Sequence, residues 1–197
     1  MTLLGDTDLS GVKPVRRDSR RGRLSPARLG EIAAAVAAQP DNWSGLVRFD
    51  DGRRWYQRLE LAHDHEVWLL SWLPGQGTGF HDHGAAAGAF AVAEGQVLER
   101  TVGAGSGQAA ARGAAAGPAL AAGRTAARGP VLPRHQAVHQ GGVRSFGPRY
   151  VHDVVNASGD PAITVHAYSP PLTVMRRYEL TESGLTHTAT QHAEQDR

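Results

Sequence analysis

Two histidines two residues apart, His81 and His83, end the glycine-rich stretch Gly75-Gln-Gly-Thr-Gly-Phe-His81-Asp-His83. On a strand, side chains at i and i+2 leave the same face. A third histidine, His152, heads a second strand-like run and stands four residues before Asn156. Two convergent imidazoles plus one from a partner strand make a three-nitrogen face for a divalent metal, with the rest of the coordination sphere open to reactants. The chain contains no cysteine. Thiolate metal sites and disulfides are therefore excluded, and any metal must rest on His, Asp or Glu.

Other histidines compete for this role. His63-Asp64-His65 has the same local spelling as His81-Asp82-His83 but no glycine-rich lead-in. It lies between two apolar runs and reads as a hairpin tip. His135 and His139 are spaced to meet on a helix face, with no acid near them. His187 and His192 fall in a polar stretch that reads as a solvated tail. Near the C-terminal end, Thr164, His166 and Tyr168 recur at period two, which puts three polar side chains on one strand face. An ordinary buried strand has apolar residues at such positions.

The elements that position these residues are mostly strands. Ser25 is a good N-cap, Pro26 fits the first helical position, and Leu24 can staple to Leu29. Leu29, Ile32, Ala33 and Val36 then form one apolar stripe, and Pro40 and Asp41 stop the helix. From Trp43 onward the period changes to two. Strands are expected at 45–49, 54–61, 66–73, 80–83, 87–93, 96–102, 144–146, 150–155 and 162–168, punctuated by Gly, Asp and Pro clusters. This pattern predicts an all-β sandwich or barrel with a short N-terminal helical cap. Residues 1–23 read as a mobile arm, 24–180 as a single domain and 181–197 as a polar tail. Residues 103–129 are almost all Ala, Gly, Arg and Thr and read as an insertion or long loop.

Composition narrows the partners. The chain has 197 residues, 41% of them hydrophobic, enough for one domain with a core. No apolar run approaches the ~20 residues of a membrane span, and the N-terminus lacks a basic-then-apolar signal layout. A net charge of only +2 gives no general attraction to nucleic acid. The cluster Arg16, Arg17, Arg20, Arg21 and Arg23 reads as a solvated arm. The expectation is a cytoplasmic protein that engages neither nucleic acid nor membrane.

Several strings together resemble a known family. Gly75, His81-x-His83, Gly88 and Gly95, followed by His152 and Asn156, are similar to the two boxes of the cupin superfamily, whose fold is a double-stranded β-helix or jelly-roll barrel. Thr164-Val-His166-Ala-Tyr168-Ser169-Pro170-Pro171 resembles the Ser-x-His-x-Tyr-Ser-Pro-Pro run of the cysteine dioxygenase family. Trp43-Ser-Gly-Leu-Val-Arg-Phe-Asp50, Tyr56-Gln-Arg58 and Trp72 also match that family's pattern. The resemblance covers about residues 25–99 and 144–178.

It implies one Fe(II) per chain on His81, His83 and His152, with a small thiol and O2 as reactants and a sulfinate as product. It implies Arg58 as the clamp on the substrate carboxylate, with Tyr56 on the same strand face. It implies Tyr168 as a hydroxyl close to substrate and oxygen, oriented by His166 and in turn by Thr164. A cis Ser169–Pro170 bond is also implied. Two features depart from the pattern. Gly88 stands where cupins usually carry a fourth, glutamate ligand, which leaves three neutral nitrogens. Gly88 is also near the place where animal members carry a cysteine bonded to the tyrosine, and without any cysteine no Cys-Tyr cross-link forms. The expected molecule is thus a monomeric iron-dependent thiol dioxygenase converting L-cysteine to cysteine sulfinate. The alternatives are a 3-mercaptopropionate-type enzyme, in which Gln typically replaces Arg58, and a non-catalytic metal-binding or sensor cupin.

Overall fold

The computed structural model describes residues 22–102 and 131–192. Two antiparallel sheets face each other in a jelly-roll arrangement, with one helix on the outside. The helix α1 spans Pro26–Ala37, and the strands are β1 (Trp55–Leu61), β2 (Glu66–Trp72), β3 (Phe80–Asp82), β4 (Ala87–Glu94), β5 (Gln96–Thr101), β6 (Arg134–His139), β7 (Val143–Phe146), β8 (His152–Val155), β9 (Ala162–Ser169), β10 (Val174–Thr181) and β11 (Gly184–His192). The first sheet runs β1-β2-β9-β4-β7 and the second β11-β10-β3-β8-β5-β6.

The alternation of side chains divides the central strands β2, β9 and β4 between two environments. Their odd-numbered residues Val67, Leu69, Ala89, Ala91, Val165 and Ala167 form an outer cluster with Leu29 and Ala33 of α1 and with Trp43. Their even-numbered residues Leu70, Trp72, Phe90, Val92 and Tyr168 face the second sheet and join Val97, Val154 and Phe146. Because both faces are covered, these strands read as continuous apolar runs, as doubly buried strands do.

The start of α1 follows the sequence signals. Ser25 caps it by accepting from the Arg28 amide at 3.2 Å, with Pro26 directly after. The Leu24 amide donates to Ser169 Oγ at 2.9 Å, which ties the helix entrance to the end of β9. Trp43 closes the other end, its indole N–H donating to the Val36 carbonyl at 3.0 Å. The outer positions of β4 are all alanine, so the helix sits close to the sheet. Gly30 marks the closest approach: a Cβ there would lie 2.6 Å from Ser145 Oγ of β7.

Three expectations change. Residues 45–49 do not form a strand. Ser44–Leu46 is a turn of 3-10 helix, closed by Leu46 N to Trp43 O at 2.9 Å and Val47 N to Ser44 O at 3.2 Å. The local turn satisfies the backbone there, and β1 is left as the edge of its sheet. Arg134–His139 is a strand rather than a helix, paired along its whole length with β5. The spacing of His135 and His139 fits both periods, and cross-strand pairing decides.

The stretch expected as a solvated tail instead continues as a hairpin. β10 pairs with β3 on one side and with β11 on the other. Its hydrophilic composition suits a strand with one wet face. Tyr178, Leu180 and Leu185 cover the small cluster around Phe80, Val102 and Val151. The 103–129 insertion and most of the 1–23 arm lie outside the described residues.

The close helix–sheet contact gives a direct test. Gly30→Leu forces α1 off β7 and costs about 1–3 kcal/mol of stability, the usual range for overpacking a close contact. Urea denaturation measures it. The substitution lies on the outer face of the sheet, so metal content below the transition should stay at the wild-type level.

Candidate metal centre and substrate pocket

Strands β3 and β8 bring the three histidines together. His81 on β3 lies directly across from His152 on β8, and His83 follows one residue past the end of β3. The imidazole centroids are 4.7 Å apart for His81–His83, 4.8 Å for His81–His152 and 5.3 Å for His83–His152. The candidate ligand atoms all lie within 4.8 Å of one another, and this is the one such group of metal-ligating side chains among the described residues.

The hydrogen bonds fix which nitrogens are available. His81 Nδ1 donates to the Gly79 carbonyl at 2.9 Å. His152 Nδ1 donates to Glu99 Oε1 at 2.9 Å. In each ring these bonds engage Nδ1 and leave Nε2 available to ligate. Both nitrogens of His83 are buried without any hydrogen-bond partner. A buried polar atom left unsatisfied costs roughly 1–3 kcal/mol, and a cation shared by the three rings removes that cost. Burial holds the His81 and His83 imidazoles well below their ordinary pKa, and the neighbouring histidines add to this. These two rings are thus neutral, the form that binds a metal.

Glu99 is part of this centre and was not singled out from sequence. It is fully buried behind His152 and also accepts from Arg144 Nε at 2.6 Å. Burial opposes its ionisation, but the hydrogen bonds from His152 and Arg144 outweigh that and hold its carboxyl below the ordinary value. The row His152–Glu99–Arg144 is charge-balanced, so the ligand set remains formally neutral. The signal for Glu99 was present: Val97-x-Glu99-x-Thr101 alternates, which places one acid on an inward strand position.

Gly88 explains the missing fourth ligand. A Cβ at this position would lie 2.6 Å from Phe146 Cζ and 2.9 Å from Tyr168 Cδ1. Phe146 occupies that space and stacks on His83, with centroids 5.3 Å apart and planes at 22°. At this position β4 offers the histidines no ligand, and the wall on that side is an aromatic ring.

The polar row on β9 forms one directed chain. Trp72 Nε1 donates to Thr164 Oγ1 at 2.9 Å, Thr164 Oγ1 meets His166 Nε2 at 2.9 Å, and His166 Nδ1 meets the Tyr168 hydroxyl at 3.0 Å. An indole N–H only donates. Thr164 accepts it and still has a lone pair and a proton of its own to offer His166 Nε2. Burial keeps His166 neutral, well below its ordinary pKa, so it carries one ring proton. In the tautomer that accepts from Thr164, that proton sits on Nδ1 and is donated to the Tyr168 oxygen, which leaves the phenol proton to point elsewhere. Burial raises the Tyr168 pKa far above the ordinary phenol value, so it stays protonated. The Ser169–Pro170 bond that follows is cis.

These groups open into a cavity of about 160 Å³, lined among others by Tyr56, Arg58, Leu70, His81, His152 and Tyr168. Its outer wall comes partly from the C-terminal hairpin, through Met175, Arg177, Gln191 and His192. The volume suits a small molecule.

Of the residues singled out from sequence, the structure brings His81, His83, His152, Thr164, His166, Tyr168, Tyr56 and Arg58 to this one region. Arg58 arrives with company: its Nη1 is 3.9 Å from Glu66 Oε2, and its guanidinium lies 5.5 Å over the Trp68 ring. His63 and His65 sit on the β1–β2 turn around Asp64, away from the centre. His135 and His139 are exposed.

A model of the family described as "Cysteine dioxygenase type I" matches residues 20–181 of the chain. No curated protein is significantly similar to it. Among solved structures, a protein of Thermus thermophilus is 18% identical, with 65% of this chain and 93% of that chain covered and a TM-score of 0.47. A Klebsiella pneumoniae protein with a double-stranded β-helix domain is 17% identical, covering 74% and 93%, at a TM-score of 0.46. A cupin superfamily protein of Desulfitobacterium hafniense is 7% identical, covering 65% and 87%, at 0.45.

The buried carboxylate behind His152 can be probed by metal competition. Glu99→Ala leaves His152 Nδ1–H and Arg144 without their acceptor, and metal affinity should fall about 10–100-fold, as is usual when the partner of a ligating histidine is removed. Glu99→Gln, which keeps an acceptor, should fall less. His81→Ala, His83→Ala and His152→Ala should each abolish binding, whereas His63→Ala should leave it at wild-type level. Chelator titration reads all of these.

Proposed function

The chain belongs to the cysteine dioxygenase type I family, and on that premise we propose that it is an iron-dependent thiol dioxygenase whose substrate is a small thiol bearing a carboxylate, L-cysteine first. The single observation that carries this reading is the meeting of two constellations in one cavity. His81 and His152 offer Nε2 on one wall, and the Trp72–Thr164–His166–Tyr168 chain ends in a phenol on another.

Bound iron would be held by His81, His83 and His152 and would supply O2 activation next to a thiolate. The rest is the work of the chain. Three arginines, Arg54, Arg58 and Arg177, line the cavity against one acid, Glu66. This surplus of positive charge draws in an anionic thiol and favours its thiolate form. Leu70, Val154, Leu172 and Met175 line the same cavity and exclude water, which strengthens every charged contact inside. With its proton on Nδ1, His166 holds the Tyr168 oxygen, and the phenol proton is aimed at whichever acceptor enters the cavity. A hydroxyl fixed in advance toward charge that develops during reaction contributes without reorganising. Since no cysteine exists to cross-link Tyr168, His166 and the packing of Gly88 and Phe146 position it instead.

A 3-mercaptopropionate-type enzyme is the second reading. The arginine at position 58 disfavours it, since the family resemblance associates that activity with Gln there. A sensor cupin does not account for a phenol held by three successive hydrogen bonds beside the histidines.

The test is oxygen consumption and sulfinate formation by iron-loaded protein with L-cysteine, 3-mercaptopropionate and cysteamine. L-cysteine should be the best of the three. If none is oxidised, the dioxygenase reading falls. If 3-mercaptopropionate is preferred, the cysteine assignment falls. Tyr168→Phe should still load iron but turn over about 10²–10³-fold more slowly, or consume oxygen without forming sulfinate. Unchanged rate and coupling would reduce Tyr168 to packing.

A further inference from the structure

His83 differs from the other two histidines in how it is held. His81 and His152 each carry a hydrogen bond at Nδ1, whereas both nitrogens of His83 are buried without a partner. Phe146 and Tyr168 flank its ring and set its tilt, but such contacts give no directional bond. His83 also stands outside the ladder, since β3 ends at Asp82. Its aim toward His81 and His152 therefore depends on its backbone, and Asp82 holds that backbone. Asp82 Oδ1 accepts from the Gly84 amide at 2.7 Å, which closes an Asx turn over His83. Gly84 completes the turn at a φ of 59°, a conformation that favours glycine.

The second oxygen of Asp82 is taken by the C-terminal hairpin. The Tyr178 hydroxyl donates to Asp82 Oδ2 at 2.7 Å, and Arg176 Nη1 approaches the same atom at 3.5 Å. Both residues come from β10, which pairs with β3 through Arg176–Asp82, Arg177–His81 and Tyr178–Phe80. Alternation separates the two faces of this strand. Arg176 and Tyr178 share the face of Asp82, while Met175 and Arg177 line the cavity. Burial first, and then the bond to Asp82, push the Tyr178 pKa up to about 12, so the phenol remains a donor. Asp82 is buried, and a hydrogen bond to a carboxylate is among the stronger kinds. The Asp82 side chain is thus fixed at both oxygens, one by the turn it closes and the other by the hairpin.

We propose that Asp82 and Tyr178 are positioning residues for the third metal ligand. The Tyr178 hydroxyl locks the Asp82 carboxylate, and Asp82 in turn fixes the turn that aims His83. A phenol on the face of the sheet away from the cavity then governs how well a metal is held inside it. This deepens the reading of the three histidines as a metal centre and rests on it, but it does not depend on which thiol is oxidised.

The experiment reads metal affinity and ligand geometry together. Wild type, Tyr178→Phe, Asp82→Asn and Asp82→Ala are titrated with Co(II) against a chelator. The visible absorption of the bound Co(II), which reports its coordination geometry, is recorded for each. Asp82→Ala removes the turn and should lose about 10–100-fold in affinity, the usual effect of deleting a group that orients a ligand. Asp82→Asn keeps an acceptor for the Gly84 amide and should lose less. Tyr178→Phe keeps its ring packed with Phe80 but releases the carboxylate. Its affinity should fall at least about threefold, and its spectrum should shift in the same direction as that of Asp82→Ala. Wild-type affinity and spectrum in Tyr178→Phe overturn the assignment, as does an equal loss in Asp82→Asn and Asp82→Ala. A wild type that takes up no Co(II) removes the metal centre and this inference with it. If the affinities follow the expected order but the iron-loaded protein oxidises no thiol, the positioning role stands and the dioxygenase reading falls. Oxidation of L-cysteine together with unchanged Co(II) binding in Tyr178→Phe does the reverse.

Discussion

Packing three imidazoles against one another in an apolar interior is tolerable only if they are neutral and their lone pairs have somewhere to go. Much of the molecule follows from that constraint. Charged rings so close together would repel, and burial already disfavours the charge. The protons must therefore be parked on the outward nitrogens, which requires acceptors behind the rings. Gly79 supplies a carbonyl for His81 and Glu99 a carboxylate for His152. Glu99 in turn needs Arg144, so strand β7, which already packs Phe146 on His83, is drawn into the electrostatics of the site as well. His83 has no acceptor at all, and it is packed between Phe146 and Tyr168. Its imidazole is the one most dependent on a cation.

The same logic, with the opposite outcome, governs Thr164, His166 and Tyr168. Their row begins at a group that can only donate, and the tautomer of His166 sets the direction of the protons beyond Thr164. A hydroxyl at position 164 serves this purpose whether or not it carries the extra methyl of threonine. That residue is wholly buried, and Trp72 and His166 take up both sides of its oxygen.

What was legible in the sequence was whatever rests on local period. The helix start at Ser25, the two-residue spacing of the histidines and the row on β9 depend on neighbours in the chain, and all form as their spacing implies. The helix and strand periods coincide at four residues, which is why His135 and His139 read as a helical pair and turned out to lie on β6. Residues 45–49 have strand composition but settle their backbone in a 3-10 turn. The hairpin of β10 and β11 looked like a tail because its residues are polar, and polarity does not distinguish a wet-faced strand from no strand. Glu99 was missed for a different reason. Its importance lies in what surrounds it, wedged behind His152 and held by Arg144, and a sequence pattern does not record that.

The division of the cavity between two parts of the chain has a consequence of its own. The groups that could hold a metal and a proton sit on β3, β8 and β9 or, for His83, just past β3, and each of these strands is paired on both sides. The outer wall, by contrast, comes from β10 and β11, a hairpin attached to the sheet along one edge. Changes on its cavity face alter the size and charge of the opening while the reactive groups keep their places. Chemistry and selectivity are thus separately adjustable. A lineage carrying this fold can explore new thiols by varying Met175, Gln191 and His192, with little risk to the step that follows binding.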